Sequence, residues 1–381
     1  MSVRRLIFCA FPFGYGPAAK LLSIARAVRA HGIAPWFLGS GIALELVRRS
    51  AGIFDEVIEA SASNAAARSL VSSSDGIVSS MDRRAAQLAR ESSRPLYIVD
   101  SLLWMRDRVP EAFLPARRYW AQRFFGEPIG SPHLPVARVG PIVSPFEPGP
   151  PLRRAELVVH LGGCESPWAT PEDHYRYAAF VTRAVVSAGL PRDASCLVLS
   201  GASCTARLRA EFSACGVEFD SLSHEEALNA LSQAAVVFTS PGVTATLECF
   251  RAGVATSFLP PQNYSQWMAL EAVREAGLAP EALHWADVAV PPPFRRMPED
   301  RRTPAVLETI ARLSAEGSVR HELTCRLRAA ARLPRPELGA RQRAAFESLG
   351  ANGAVEIASQ LASESWCEGS DASQEARRGE Q

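Results

Sequence analysis

Short apolar runs alternate with stretches of helical period along most of this chain. LIFCAF (6–11) is nearly all apolar, the segment from Ala18 to Ala30 carries apolar residues at helical spacing, and APWFLGS (34–40) is apolar again. The pattern predicts a β-α-β opening. Gly32 follows the helix where a left-handed cap is expected, and Gly39 and Gly41 separate the second strand from a further helix, IALELVRR (42–49). LYIVD (96–100) reads as another buried strand. The less regular stretch after it, with Trp104, Tyr119, Trp120, Phe124 and Phe125, suits core or interdomain packing.

Between Arg138 and Arg153 the composition changes to VGPIVSPFEPGPPLR, which holds five prolines and two glycines and suits a semi-rigid connector. A second alternating series follows. Strands are expected at ELVVHLGG (156–163), CLVLSG (196–201), VEFDSL (217–222), AVVFTSPG (235–242) and Ala252 to Phe258. Helices are expected over Tyr175 to Ala188, Ala206 to Cys215 and His224 to Gln233, with a polar turn from Pro260 to Gln266 leading into another. Strands separated by helix-length segments imply an α/β chain with parallel sheets and right-handed crossovers. In such sheets ligands bind beyond the carboxyl ends of the strands, so sites belong in the strand-to-helix turns.

The expected division is a first Rossmann-like domain over 1–145, joined by a crossing helix near 350–363, and a second over 152–345. Residues 366–381 are small, polar and unpatterned, and read as a disordered tail. A length of 381 residues suits two hydrophobic cores, and 47% apolar with 21% charged residues is an ordinary globular balance.

Charge narrows the partners. With 41 basic and 40 acidic residues, a formal net charge of +1 gives no field favouring nucleic acid or an anionic membrane. Any anion must be bound locally. Lys20 is the single lysine, every other basic side chain being arginine. The eight cysteines form no C-x-x-C pair, so neither a zinc site nor a thioredoxin-like motif has its minimal spacing, and scattered thiols fit the cytoplasm. Arg4 and Arg5 before an apolar run mimic a signal peptide, but Pro12, Gly14 and Gly16 interrupt it almost at once. No stretch reaches the ~18 uninterrupted apolar residues of a spanning helix. A soluble, cytoplasmic protein without a transmembrane segment is expected, and the sequence admits a homodimer.

Two turns carry candidate chemistry. In LGGCESPW (161–168), Gly162 and Gly163 follow a buried strand, where backbone amides can approach an anion without Cβ obstruction; such a turn also arises for geometry alone. The segment 239–277 is more specific. Ser240 and Gly242 end a strand, Thr244 and Thr246 open the next helix, and Glu248 lies six residues beyond Gly242. That places a helix N-terminus for a diphosphate near a carboxylate able to accept both hydroxyls of a ribose. Helix capping by the hydroxyls and a solvated Glu248 are the bland alternatives. Asn263 and Gln266 stand where sugar hydroxyls could be contacted.

The glycine, threonine, glutamate, AG-V-A and PPQNYSQ elements of 239–277 resemble the donor half of GT-B glycosyltransferases, notably the peptidoglycan N-acetylglucosaminyltransferase and the wider UDP-glycosyltransferase group. The resemblance extends to VGP (139–141) and to GANGAVEIASQLA (350–362), similar to the final helix that crosses back to the first domain. It implies two Rossmann-like domains with parallel sheets facing across a cleft, and an enzyme moving a sugar from a UDP-sugar to a small-molecule acceptor. Glu248 would hold the ribose, Gly242 with Thr244 the diphosphate, and Gln266 with Asn263 the donor sugar. The UDP-sugar is then a co-substrate, with no cofactor and no metal; D-x-D is absent from the chain.

The first half departs from that pattern. Pro17 stands where many relatives carry a histidine base, and Asp100, ending LYIVD, resembles the aspartate that assists it, so Asp100 is the candidate base or acceptor-positioning group; it is also a plain strand-end cap or turn former. FGYGPAAKLLSIARAV is similar to the opening of cytosylglucuronate synthases, which join UDP-glucuronate to a cytosine in nucleoside-antibiotic pathways. Gly14, Tyr15 and Gly16 would then face the acceptor, and Lys20 would meet the sugar carboxylate or the diphosphate unless it is a solvated helix residue. G-x-x-x-x-G-K-[ST] is absent, and as a dinucleotide fingerprint the first turn has Ala19 in the third glycine place and no acidic residue after the second strand. Two other classes stay open: a non-hydrolysing sugar-nucleotide epimerase and a catalytically silent partner protein of the same fold.

Overall fold

The computed structural model of the chain describes residues 3–50, 52–59, 65–106, 108–126, 135–144, 156–189, 195–331 and 335–364. Strands β1 (Arg4–Ala10), β2 (Ile33–Gly39), β3 (Glu56–Glu59), β4 (Gly76–Ser80), β5 (Leu96–Asp100), β6 (Arg118–Gln122) and β7 (Val136–Val139) form one sheet. Its order is β3-β2-β1-β4-β5-β6-β7, and every pairing is parallel. Strands buried on both faces need apolar side chains in succession, and β4 and β5 are buried throughout. Helices α1 (Gly16–Arg29) and α2 (Gly41–Arg49) cover one face, while α3 (Ala65–Ser72) and α4 (Arg83–Glu91) cover the other.

The second sheet holds β8 (Leu157–Gly162), β9 (Cys196–Ser200), β10 (Val217–Asp220), β11 (Val236–Thr239) and β12 (Thr256–Phe258), in the order β10-β9-β8-β11-β12 and again wholly parallel. Its helices are α5 (Pro171–Ser187), α6 (Ala202–Glu211), α7 (His224–Gln233), α8 (Val243–Ala252) and α9 (Tyr264–Glu275). Beyond them lie α10 (Glu299–Leu313), α11 (Gly317–Ala331) and α12 (Pro336–Ser348). The last helix, α13 (Gly353–Ser363), packs on α1 and beside β7, tied there by Gly353 N to Pro141 O at 2.9 Å and by Asn352 Nδ2 to Val143 O at 2.9 Å. Each sheet reverses its strand order once, between β1 and β4 and between β8 and β11, which opens a crevice beyond the carboxyl ends of those strands.

Local signals fix most boundaries, and where the expected ones shift the cause is visible. Thr170 and Asp173 form a capping box with Pro171 in the first turn, so α5 starts a turn before Tyr175. Gly201 follows β9 directly and caps α6, which therefore begins at Ala202 and not at Ala206. The strand expected from Ala252 begins only at Thr256, because α8 runs through Ala252 and Gly253 takes the left-handed cap at φ 70°. Of the proline-rich connector, Arg138 and Val139 belong to β7, and residues 145–153 lie outside the described residues, as does the tail 366–381. The irregular aromatic stretch contains β6, and its later rings reach the second domain: Phe125 lies 5.7 Å from Phe250. Among the described residues no helix is long and apolar enough to cross a membrane.

Candidate functional site

The β8 end and the β1–α1 turn approach each other directly. Gly162 has φ 72°, and a Cβ on Gly163 would stand 3.1 Å from Gly14 Cα and from Tyr15 N, so glycine is required for the two domains to meet this closely. Gly14, at φ 56°, donates its N–H to Glu165 O at 2.8 Å. Tyr15 donates its hydroxyl to Glu45 Oε1 at 2.7 Å, and burial, with that carboxylate, raises its pKa.

Across the cleft, β11 ends at Thr239 and α8 begins after Gly242, an N-cap with no side chain to satisfy the first-turn amides. Those amides and the helix dipole are therefore free to meet an anion. Ser240 donates to Leu161 O at 3.3 Å and accepts from Gln262 Nε2 at 2.5 Å, which braces the β11 end against the β8 end. Thr244 donates to Gly16 O at 3.4 Å and accepts from Lys20 Nζ, a pair of bonds that joins α8 to α1 across the domains. Asn263 caps α9 by accepting from Gln266 N at 3.0 Å, so its side-chain oxygen serves the helix. Gln266 accepts from Gln262 N at 2.9 Å, and its Nε2 lies 3.9 Å from where a Cβ on Gly242 would stand.

Glu248 sits one and a half turns into α8 with its side chain 8% exposed, and its Oε1 lies 2.7 Å from His224 Nε2. It is not a solvated helix residue. Lys20, only 2% exposed, is equally far from the solvated alternative. Burial pushes its amine down to about 8, against the opposing charges of Glu248 and Asp100.

Gly14, Tyr15, Gly16, Lys20, Gly162, Gly163, Ser240, Gly242, Thr244, Glu248, Asn263 and Gln266 all line one cleft between the domains. Asp100 does not. Its carboxylate is wholly buried at the end of β5 and accepts from Leu102 N at 2.6 Å, from Arg106 Nη1 at 2.9 Å and from the Tyr119 hydroxyl. With three donors on its two oxygens and no exposed surface, it is placed to hold other groups and not to receive a proton from a bound acceptor.

Three cleft residues escaped the sequence reading. His160, within β8, bonds Thr239 Oγ1 through Nδ1 at 3.1 Å, and burial pushes it down to about 4 with Glu248 opposing and His224 assisting. Its signal was a polar residue inside an apolar strand just before the glycine turn. His224 opens α7 directly after a strand, in the class of turn already singled out, but was read only as a helix start. Gln262 offered no spacing signal.

Two α/β domains with parallel sheets facing across a cleft define the GT-B class of fold. No protein-family model matches the sequence, and no curated protein matches it. Solved structures do. UGT89C1 of Arabidopsis thaliana complexed with UDP is 13% identical, with a TM-score of 0.54 over 94% of this chain and 98% of that one. The spinosyn forosaminyltransferase SpnP is 13% identical, with a TM-score of 0.52 over 95% of this chain and 100% of that one. MurG of Acinetobacter baumannii is 13% identical, with a TM-score of 0.50 over 94% and 99%. At such identities the likeness is one of fold.

Proposed function

We propose that this chain is a glycosyltransferase that takes a sugar from a UDP-sugar and passes it to a small-molecule acceptor. One arrangement carries the reading: the uncapped N-terminus of α8 at Gly242 and Thr244, with the buried Glu248 carboxylate a turn and a half further in, on the wall of a cleft at both sheets' switch points. Amides and dipole hold the diphosphate and stabilise charge on the departing nucleotide, while Glu248 accepts the ribose hydroxyls. The C1–O bond to the diphosphate breaks as the acceptor bonds to C1 from the opposite face; UDP leaves with the electron pair, and the acceptor's proton passes to solvent. That UGT89C1 was solved with UDP in the same fold supports a uridine nucleotide.

The finer reading is a UDP-glucuronate donor and a cytosine acceptor, in natural-product assembly in the cytoplasm. A pyrimidine nitrogen acceptor lessens the need for a base, which suits Pro17 at the start of α1 and an Asp100 whose carboxylate is already engaged. Asp100 then acts as a positioning residue. Incubation with UDP-glucuronate and cytosine should give UDP and a cytosine glycoside, unchanged by EDTA. Loss of turnover in EDTA with rescue by a divalent ion would overturn the metal-free mechanism, and transfer to another acceptor would remove the substrate pair while leaving the class.

One observation favours a second reading. Lys20, His224 and Glu248 bring acid and base groups into a largely buried cleft, as an epimerase working by elimination and re-addition requires. Epimer formation without any acceptor establishes that reading and excludes transfer.

A further inference from the structure

The wall of the cleft holds one cation that the transfer chemistry above leaves unused. Lys20 is the chain's only lysine, in a sequence whose other basic side chains are all arginine, and it is among the largest fully buried side chains. An ammonium removed from water is costly unless anions or acceptors replace its hydration. It carries three N–H donors. Among the described residues its hydrogen-bond partner is the Thr244 hydroxyl, an uncharged acceptor. The charged groups acting on it are Glu248 of α8 and Asp100 at the end of β5. Both are already engaged: Glu248 with His224, and Asp100 with Leu102 N, Arg106 and Tyr119.

Helix geometry sets where the amine goes. Side chains lean toward the helix N-terminus, so Lys20, in the second turn of α1, reaches back to the level of Gly16. Thr244, in the first turn of α8, touches the same place: a Cβ on Gly16 would stand 3.2 Å from Thr244 Oγ1. The amine of the first domain is thus one hydroxyl away from the uncapped amides of the second.

We propose that Lys20 binds the diphosphate of the nucleotide donor from across the cleft, exchanging the Thr244 hydroxyl for a phosphate oxygen and tying the two domains together while the donor is bound. This rests on the donor reading above. A phosphate suits the position, because Nζ lies on the first turn of α8, where the uncapped amides already favour an anion. The doubly charged diphosphate holds the amine protonated, so above pH 8 nucleotide binding takes up a proton that the empty cleft lacks.

The test is calorimetry of UDP and of uridine at pH 8.5, in two buffers of different ionisation enthalpy. Wild type should take up roughly half a proton or more with UDP and none with uridine, and far less with UDP at pH 7. Lys20→Met should bind UDP at least about tenfold more weakly with no uptake; Lys20→Arg, charged at every pH, should keep affinity within a few-fold and also lose the uptake. UDP binding to wild type without proton uptake, or uptake undiminished in a folded Lys20→Met, overturns this inference alone. Failure of wild type to bind UDP overturns it together with the donor reading.

Discussion

His224 Nε2 lies 2.7 Å from Glu248 Oε1 where α7 and α8 meet the cleft, so the carboxylate expected to grip a ribose is already held by an imidazole. A carboxylate can only accept, which puts the proton on Nε2 and leaves the second carboxylate oxygen for a ligand. Glu248→Gln keeps an acceptor for His224 and should leave the melting temperature within a few degrees. UDP affinity should fall about ten- to a hundredfold, the effect of replacing a charged acceptor of sugar hydroxyls by a neutral one. Equal affinities in two equally stable proteins would sink the donor-site assignment.

Asp100 offers a test of role against role. A general base can be removed with little effect on folding, whereas a wholly buried carboxylate paired with Arg106 and Tyr119 cannot. Asp100→Ala should therefore destabilise the first domain by on the order of 3 kcal/mol or more, seen as a lowered unfolding midpoint. An unchanged midpoint with turnover abolished would return Asp100 to the part of base.

Sequence pattern exposed the strands of the second sheet and β1, β2 and β5 of the first, with the turns that hold the cleft, because buried parallel strands must be apolar in succession; β3, β4 and β7 are too short or, as GIVSS, too polar to stand out. It did not expose pairings between distant elements. A solvated helix position stayed open for both Glu248 and Lys20 until α7 brings His224 against the first and α8 brings Thr244 against the second. Asp100 read as a strand-end acid open to a ligand, since nothing in LYIVD announces that Arg106 and Tyr119 will converge on it. β6 was hidden by aromatic residues whose spacing follows neither period.

The crossing helix is held where two glycines meet. A Cβ on Gly140 would collide with Ala351 O, and one on Gly353 with Gly140 O, while Gly353 N bonds Pro141 O. Backbone has little room to move aside at such a contact, so Gly140→Ala should cost about 2 kcal/mol or more. Release of α13 from α1 should follow, giving faster proteolysis before Gly353 at temperatures where wild type resists. A variant as resistant as wild type would mean that the clasp does not anchor the helix.

His284 predicts how the second domain responds to acid. Its ring is 1% exposed and stacks edge-on against Trp267 at 4.3 Å; Nδ1 accepts from Ala286 N at 3.1 Å and Nε2 donates to Trp267 O at 3.4 Å. Burial pushes its pKa from 6.5 down to about 4, against the smaller opposing effects of the Trp267 carbonyl and Asp287. Between those values the unfolded chain binds a proton that the folded one does not, so stability is complete above pH 6.5 and is lost as pH falls toward 4. His160 is pushed down to about 4 as well and acts in the same window. His284→Asn keeps a capping acceptor without the titration, so its stability should start lower but decline less steeply on acidification, the slope falling by on the order of 1 kcal/mol per pH unit. Urea unfolding from pH 7 to pH 4.5, followed by the fluorescence of the buried Trp267 and Trp285, reads that slope. Parallel slopes in wild type and variant would show that His284 is already protonated in the folded domain.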